Sequence, residues 1–67
     1  MKDIYEREVK IGDTVVFNHP EYRLLESSPV LNIVPFVGIK VFYNNPDGTL
    51  SRTIVPEKQF VIINKEN

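Results

Sequence analysis

The sequence contains no cysteine and no tryptophan, and it has one histidine and three glycines among its 67 residues. Without cysteine, neither disulfides nor cysteine-ligated zinc can hold the fold together. The single histidine, His19, leaves no cluster of nitrogen ligands for another metal, and there is no Asp-x-Asp cluster of the calcium-binding kind. The glycines are too scattered to form a phosphate-binding loop. We therefore expect no metal and no cofactor.

The sequence also lacks an excess of positive charge. Eight Lys and Arg stand against nine Asp and Glu, which gives a net charge of −1. Proteins that derive their affinity from DNA or RNA phosphates need clustered basic residues. Here most cations have acidic neighbours, and at most Lys40, Arg52 and Lys58 could gather on one surface. This pattern favours a protein over a nucleic acid as the partner.

Long apolar runs are missing as well. The longest uncharged stretch, residues 27–39, contains Pro29 and Pro35 and is too short to span a bilayer as a helix. Residues 1–8 are charged throughout and contain no apolar signal core. These features predict a cytoplasmic protein that does not contact a membrane.

A catalytic centre is not indicated either. A chain of 67 residues buries one modest core, and a deep catalytic pocket would compete for the same side chains. As a general base, His19 would need a carboxylate such as Asp13 or Glu21 and a nearby nucleophile. No spacing in the sequence supports that arrangement, and a loop histidine before proline is usually a capping or solvated residue. We expect no catalytic residue and no enzyme activity.

What the sequence does contain is a series of short β-branched and aromatic runs separated by turn residues. The runs cover residues 15–17, 30–34, 36–43, 49–55 and 60–63. The only helix candidate, residues 1–8, is too short and too charged to be stable alone. Five short strands with no helix to cover them predict a small barrel or two packed sheets. The period-two pattern predicts a core of Val15, Phe17, Ile39, Val41, Ile54, Phe60 and Ile62.

The strongest turn signal, Asn-Asn-Pro-Asp-Gly at 44–48, leaves two hairpin registers open. Its Pro-Asp-Gly chemistry favours a three-residue loop, which sets Val41 opposite Thr53. A four-residue loop instead gives a cleaner apolar face that includes Val41 and Ile54. Because packing usually decides register where one face is buried, we favour the four-residue loop.

In this order the elements resemble an SH3-like small β-barrel, of the kind shared by KOW, Tudor and related modules. The opening segment 9–15 (Val-Lys-Ile-Gly-Asp-Thr-Val) is similar to the turn that leads into the first strand of such modules. The closing segment 54–62 (Ile-Val-Pro-Glu-Lys-Gln-Phe-Val-Ile) is similar to their strand, one-turn 3₁₀ corner and last strand. The resemblance implies an all-β, five-stranded SH3-like barrel over residues 9–64, with a long loop after the first strand. Residues 1–8 are then a charged N-terminal segment and 65–67 a polar tail.

The resemblance implies a fold and carries no functional residue with it. A proline-reading SH3 surface needs an Ala-Leu-Tyr-like first strand, whereas residues 15–17 are Val-Val-Phe. KOW modules that bind RNA bring basic loops, whereas the first loop here has Glu21 and Glu26 beside a single Arg23. A Tudor cage needs three or four aromatics that converge at one end.

Two surfaces are candidates for binding a partner. The long loop offers a tyrosine and two leucines, which either close over the barrel or contact a partner. In both hairpin registers Lys40 and Phe42 point away from the inner face, and an outward aromatic beside a cation can anchor a protein or stack on a base. Other aromatic side chains or the N-terminal segment could instead cover Phe42. The predicted partner-binding residues are Tyr22, Arg23, Leu24, Leu25, Lys40 and Phe42.

A third segment, residues 30–37, is uncharged and strongly apolar. Left exposed, such a segment is prone to aggregation. We therefore expect it to be buried inside the barrel, with an interface to a second copy or to a partner as the alternative.

The leading hypothesis is a small non-enzymatic module that acts by protein–protein contact as a regulatory or accessory factor. One alternative is a KOW-like nucleic-acid-binding barrel, for which Lys40, Phe42, Arg52 and Lys58 would have to share a face. Another is a structural subunit of a larger assembly, suggested by residues 30–37. A homodimer is compatible with the same segment.

Overall fold

The structure, a computed structural model, describes residues 1–64, so the predicted polar tail at 65–67 lies outside the described residues. Within that range the chain forms six strands and no helix, which confirms the all-β prediction. All strand pairs are antiparallel. The strands are β1 Thr14–Asn18, β2 Leu25–Pro29, β3 Asn32–Val34, β4 Gly38–Asn44, β5 Leu50–Pro56 and β6 Phe60–Ile62.

The first sheet has the order β2-β1-β6. In its centre, β1 alternates buried Val15 and Phe17 with outward Val16, as expected for a strand with one face on the core. Strand β2 was missed, because Leu-Glu-Ser-Ser-Pro has neither alternation nor β-branched residues and resembles a loop. Its pairing with β1 overrides that weak local preference, so the loop after β1 is shorter than predicted and covers residues 19–24.

The second sheet has the order β3-β4-β5. The chain passes from β2 in the first sheet to β3 in the second through Val30 and Leu31, and the Val30 side chain is buried between them. Because this crossing takes only two residues, the two sheets lie against each other and share one core.

The two sheets do not close into the single five-stranded barrel that the sequence predicted. Where β2 approaches β4, side chains replace a strand ladder. The Phe42 N–H donates to Ser28 Oγ at 3.0 Å, and the Asn44 N–H donates to a Glu26 carboxylate oxygen at 2.7 Å. The physical reason is that β3 pairs with β4 only as far as Lys40, and β2 presents side chains rather than backbone to the remainder.

The core confirms six of the seven predicted residues. Ile54 is the exception, since it is 40% exposed on the outer face, and its neighbour Val55 is buried instead. The observed core consists of Val9, Val15, Phe17, Val30, Ile39, Val41, Val55, Phe60 and Ile62.

The misplaced Ile54 follows from the hairpin register. Val41 lies opposite Thr53, which is the register of the three-residue loop, so our preference for the four-residue loop was wrong. The Asn45 N–H donates to the Thr49 carbonyl at 2.8 Å and closes the loop, and Gly48 takes the positive φ of 88° that the turn requires. In this register Val55, rather than Ile54, joins Ile39 and Val41 on the buried face, so both turn chemistry and burial are satisfied.

The charged N-terminal segment forms a small hairpin, which the sequence did not predict. Lys2 forms a bridge with Glu8, and the Val9 N–H donates to the Met1 carbonyl. The turn between them contains Glu6 at a positive φ of 62°. The segment also pairs with the rest of the fold, since the Ile4 N–H donates to the Phe60 carbonyl at 2.9 Å.

At the centre of this N-terminal hairpin, the Asp3 side chain is completely buried. Its carboxylate accepts hydrogen bonds from the backbone N–H groups of Tyr5, Arg7 and Ile62 and from the Arg7 guanidinium. Burial alone would raise the pKa of Asp3, but the hydrogen bonds from Arg7 and Ile62 together outweigh it and hold the pKa below its ordinary value. A buried charge is tolerated because every lone pair has a donor.

Candidate protein-binding surfaces

The loop after β1 is held by His19, which is 6% exposed. Its Nδ1 accepts the backbone N–H groups of Glu21 and Tyr22, at 3.0 and 3.2 Å. An acceptor at Nδ1 leaves the proton on Nε2, which lies 2.8 Å from the Asn44 carbonyl and donates to it. His19 thus caps its own loop and connects it to the end of β4.

Two aromatic rings pack against the His19 imidazole. The Tyr22 and Tyr43 ring centroids lie 5.0 and 4.9 Å from it. Next to this cluster, a cavity of about 290 Å³ separates the loop from the 44–48 hairpin turn. We call it the loop groove; it is lined by His19, Tyr22, Leu24, Glu26, Asn44, Asn45 and Pro46.

Glu26 connects the two sides of the loop groove through hydrogen bonds with Asn44. One carboxylate oxygen accepts both the backbone N–H and the side-chain amide of Asn44, at 2.7 and 3.0 Å. The backbone N–H of Asn44 is the main reason that the pKa of Glu26 lies below its ordinary value. The loop and the hairpin are therefore connected by several hydrogen bonds, which makes the loop groove a preformed feature.

The four predicted loop residues do not share one surface. Tyr22 and Leu24 line the loop groove and are 46% and 59% exposed. Arg23 is exposed. Leu25 belongs to β2 and lies opposite Asn18, so it projects from the outer face of the first sheet, where it is 70% exposed. There it lines a separate cavity of about 420 Å³ with Ile4, Val16 and Val61 among its neighbours.

The remaining two predicted residues lie on the outer face of the second sheet, as predicted. Lys40 is opposite Ile54 and Phe42 is opposite Arg52, so these four side chains form one patch. The Arg52 guanidinium carbon lies 5.5 Å from the centre of the Phe42 ring, a cation–π contact that partly covers the ring. We call these four residues the cationic patch. Lys58 is not part of it, because it pairs with Glu6 at 3.2 Å near the N-terminal hairpin.

A further exposed site was missed at the turn between β3 and β4. The Val37 N–H donates to the Val34 carbonyl at 3.1 Å, so Pro35 and Phe36 occupy the two central positions of the turn. Phe36 has a positive φ of 65° and its side chain is 105% exposed, and Val37 is 52% exposed. We call Pro35, Phe36 and Val37 the Phe36 tip.

The prediction that residues 30–37 are buried is therefore correct only for Val30: residues 31, 33 and 34 are half-buried, and residues 32 and 35–37 are exposed. Val30 is buried, but the chain turns outward at Pro35. Proline followed by a residue with positive φ is typical of a type II turn, where glycine is the usual second residue. The signal available in the sequence was Pro35 itself, which sets Phe36 at the turn position that cannot face the core.

The position of Phe36 is costly in two ways. A positive φ is strained for a bulky residue, and a fully exposed ring gains nothing from burial. Beside it lies a cavity of about 510 Å³ lined by Met1, Ile33, Pro35, Phe36 and Glu57. Phenylalanine is among the aromatic residues enriched at protein–protein interfaces, so an exposed Phe36 ring beside a surface cavity is a candidate contact residue.

No group of three or more His, Cys, Asp or Glu side chains within residues 1–64 is placed to hold a metal ion. Both nitrogens of His19 are already engaged in structural hydrogen bonds. None of the residues that the structure describes belongs to a helix that is long and apolar enough to cross a membrane.

Fold and surfaces together define a small all-β domain with four exposed surfaces: the loop groove, the cationic patch, the Phe36 tip and the cavity beside Leu25. The chain belongs to the family described as "Domain of unknown function (DUF7205)", which matches residues 1–63. No curated relative and no solved structure matches the chain. The matched range takes in the N-terminal hairpin together with both sheets.

Proposed function

We propose that this domain is a non-enzymatic module that binds a protein partner, as a regulatory or accessory factor of the cytoplasm. The observation that carries the proposal is Phe36, whose ring is 105% exposed at a backbone conformation that phenylalanine rarely adopts. A partner that covers the ring would recover the burial free energy of a large aromatic side chain, about 1.5–3 kcal/mol.

The surroundings of Phe36 suit a protein interface. Val37 extends the apolar surface, and Glu57 lies at the rim of the neighbouring cavity. Interfaces combine a central aromatic anchor with a polar rim in this way. The loop groove, with Tyr22 and Leu24, offers a second apolar contact that agrees with the residues predicted from the sequence.

We further propose that the architecture derives from the SH3-like barrel. Strands β2 and β3 are consecutive and divide between the sheets, and β5 and β6 do the same across the corner at residues 56–59. This strand order is the one that an SH3-like barrel has, with one bent strand interrupted. The side-chain bridges from Ser28 and Glu26 to β4 stand where a barrel has a strand ladder.

Nucleic-acid binding is the second candidate, and the cationic patch is the observation that favours it. Lys40, Phe42 and Arg52 share a face, and an aromatic between two cations can stack on a base. Two cations release few counterions, so binding by phosphate contacts alone would be weaker than about 10⁻⁴ M at physiological salt. Micromolar binding of mixed-sequence oligonucleotides that survives physiological salt would establish this alternative.

The test of the protein-binding proposal is affinity purification from the native host with wild type and with Phe36→Ser. Because the Phe36 ring makes no core contact, the variant should have an unchanged melting temperature. The expected result is a protein that is retained by wild type and lost by Phe36→Ser. Tyr5→Ser is a matched control, since Tyr5 is also exposed, at 70%, but lies outside the loop groove, the cationic patch and the Phe36 tip. The centre of the Tyr5 ring lies 5.5 Å from the Arg7 guanidinium carbon, so the melting temperature of Tyr5→Ser is measured alongside.

Retention of the same proteins by all three versions would contradict a role for Phe36. If wild type retains no protein at near-stoichiometric amounts, the proposal of a protein-binding module fails.

A further inference from the structure

Strand β5 is the outer strand of the second sheet, and it has a free edge. The Leu31 N–H donates to the Lys40 carbonyl, and the Phe42 N–H donates to Ser28, so these even-numbered groups of β4 face away from β5. In an antiparallel pair, alternate residues exchange their backbone bonds with the neighbour. The odd-numbered residues of β4, including Val41, therefore bond to β5.

The register then fixes which groups of β5 are unpaired. Val41 lies opposite Thr53, so Thr53 and the other odd-numbered residues of β5 bond to β4. The N–H and C=O groups of Leu50, Arg52 and Ile54 point away from the sheet. Within residues 1–64 no backbone or side-chain group pairs with them. This edge is a run of three unpaired residues that ends at Pro56.

Two features of the β5 edge indicate which side chains a pairing segment would need. On the outer face of the second sheet, Lys40 and Arg52 are the only charged strand residues, and neither forms a salt bridge in the described chain. On the other side of the edge, a cavity of about 170 Å³ opens between the sheets. It is lined by Asn18, Pro20, Thr53, Ile54, Val55, Pro56 and Gln59.

We propose that the partner adds an extended segment to the free edge of β5, and that this segment has an acidic residue opposite Arg52 with small apolar residues on either side of it. A residue directly opposite Arg52 has its side chain on the same face as Arg52. An acidic residue there neutralises the cationic patch. The residues on either side face the opposite way, toward Thr53 and the 170 Å³ cavity, where a small apolar side chain fits. The inference rests on the proposed protein-binding function and names the chemistry of the partner.

A second copy of the chain is a poorer occupant of the same edge. The symmetric antiparallel pairing that keeps Leu50 opposite Ile54 places Arg52 opposite Arg52 of the other copy. Like charges directly opposite each other are destabilising. An acidic strand meets no such repulsion.

The probe is an acetylated seven-residue peptide amide in which valine and glutamate alternate, with valine at both ends. In one version the valine amides are N-methylated, which leaves the glutamate N–H groups free to pair with β5 and prevents the peptide from assembling with itself. The matched control has N-methylated glutamate amides, so its composition is unchanged but its pairing edge is blocked. A third peptide has lysine in place of glutamate and methylated valines.

Binding is followed by two-dimensional NMR of the ¹⁵N-labelled protein. We expect the first peptide to shift the amide signals of Leu50, Arg52 and Ile54 saturably. At a free concentration ten times the dissociation constant it should slow the hydrogen exchange of Arg52 and Ile54 by about tenfold. The blocked peptide should do neither, and the lysine peptide should bind about two- to fivefold more weakly.

Two protein variants complete the test. Ile54→Pro removes an outward N–H and should abolish binding, while Ile54→Thr keeps that N–H and should retain it. Arg52→Glu should reverse the preference, so that the lysine peptide binds more tightly than the glutamate peptide.

Equal effects from the free and blocked peptides would overturn strand addition, as would shifts confined to other surfaces or no shifts at all. Concentration-dependent protection of β5 without peptide would show self-pairing in place of the proposed segment. Tighter binding of a thymidine oligonucleotide to the cationic patch would also overturn it. A host protein that binds wild type and Ile54→Pro equally would contradict strand addition but would still support the proposed protein-binding function.

Discussion

Strands β6 and β5 each lie at an outer position of a three-stranded sheet, but within residues 1–64 only the outer edge of β6 is covered by other residues. The edge of β6 is covered by the N-terminal hairpin. The Asp3 carboxylate accepts the Ile62 N–H, the Arg7 guanidinium donates to the Ile62 carbonyl, and the Ile4 N–H donates to the Phe60 carbonyl. The edge of β5 has no such cover among the described residues.

The contrast shows that the ion pairs that residues 1–64 form near these two strands stabilise the edge of β6 and leave the edge of β5 uncovered. An ion pair takes the place of a neighbouring strand at β6, which prevents other chains from pairing there. The same device is absent at β5, although Lys58 and Glu57 lie only a few residues away and form their ion pairs with the N-terminal hairpin instead. One edge is closed by the fold, and the other remains available for an incoming strand.

The largest effect is expected at the closed edge. Asp3→Ala leaves the Arg7 guanidinium and the Ile62 N–H without their acceptor. Removal of one member of a buried ion pair costs about 3–5 kcal/mol, and because the Arg7 side chain is 30% exposed we expect a loss near the lower value. That loss is comparable to the whole free energy of unfolding of a domain this small. Urea denaturation followed by circular dichroism should show a largely unfolded variant. Glu21→Ala, at an exposed loop carboxylate, is the control and should unfold like wild type.

A pair of proline substitutions compares the two sides of β5. Thr53→Pro removes an N–H that bonds to β4, whereas Ile54→Pro removes one that faces outward. We expect Thr53→Pro to reduce the free energy of unfolding by about 1–3 kcal/mol more than Ile54→Pro, because a buried carbonyl of β4 loses its donor. Thermal unfolding of both variants measures the difference. Equal losses would show that the outer edge of β5 is paired after all.

Acid should weaken the closed edge. The folded pKa of Asp3 lies below its ordinary value, which is about 3.9 in an unfolded chain. The unfolded chain therefore takes up the proton first as pH falls, so the stabilisation from Asp3 is complete above about pH 5 and is lost as pH falls through the folded pKa. Urea midpoints measured from pH 6 to pH 2 should fall more steeply for wild type than for Asp3→Asn, with an osmolyte added if that variant is weakly folded. Parallel curves would assign the acid sensitivity to other carboxylates.

The smallest effect is expected for the arginine at the open edge. Arg52→Ala removes only the contact with the Phe42 ring, which at an exposed site contributes about 0.5–1 kcal/mol. Arg7→Ala, its counterpart at the closed edge, should lower the free energy of unfolding by clearly more. The buried Asp3 carboxylate then loses the two hydrogen bonds that the Arg7 guanidinium donates. Melting temperatures of the two variants give the comparison directly. A reversed order would mean that Arg52 supports the fold.

The features that the sequence predicted correctly rest on side-chain period and turn chemistry. The all-β class and buried positions such as Val15, Phe17 and Phe60 follow from alternation within strands. The closing turn at 44–48 follows from Pro-Asp-Gly. For the register of that hairpin we gave packing more weight than turn chemistry, and the predicted register was wrong. The same error placed Ile54 in the predicted core.

The features that the sequence did not predict depend on long-range pairing. Asp3 lies in a charged segment that resembles a solvated face, and its burial follows only from the approach of Ile62 across the fold. Strand β2 exists because β1 supplies its partner. Of the predicted binding residues, Lys40 and Phe42 lie on the expected face because alternation along a strand determines it. Leu24 and Leu25 lie on different surfaces, because Leu24 belongs to the loop and β2 begins at Leu25.

The bond between Asp3 and Ile62 joins positions 59 residues apart. During synthesis the Asp3 segment leaves the ribosome before its partner strand β6, which lies 59 residues further along the chain. Until then the Asp3 carboxylate has no strand to cap, and Phe60, a central core side chain, is absent. Folding of this domain therefore depends on contact between the N-terminal hairpin and β6, and the ribosome tunnel must release β6 before the core can form.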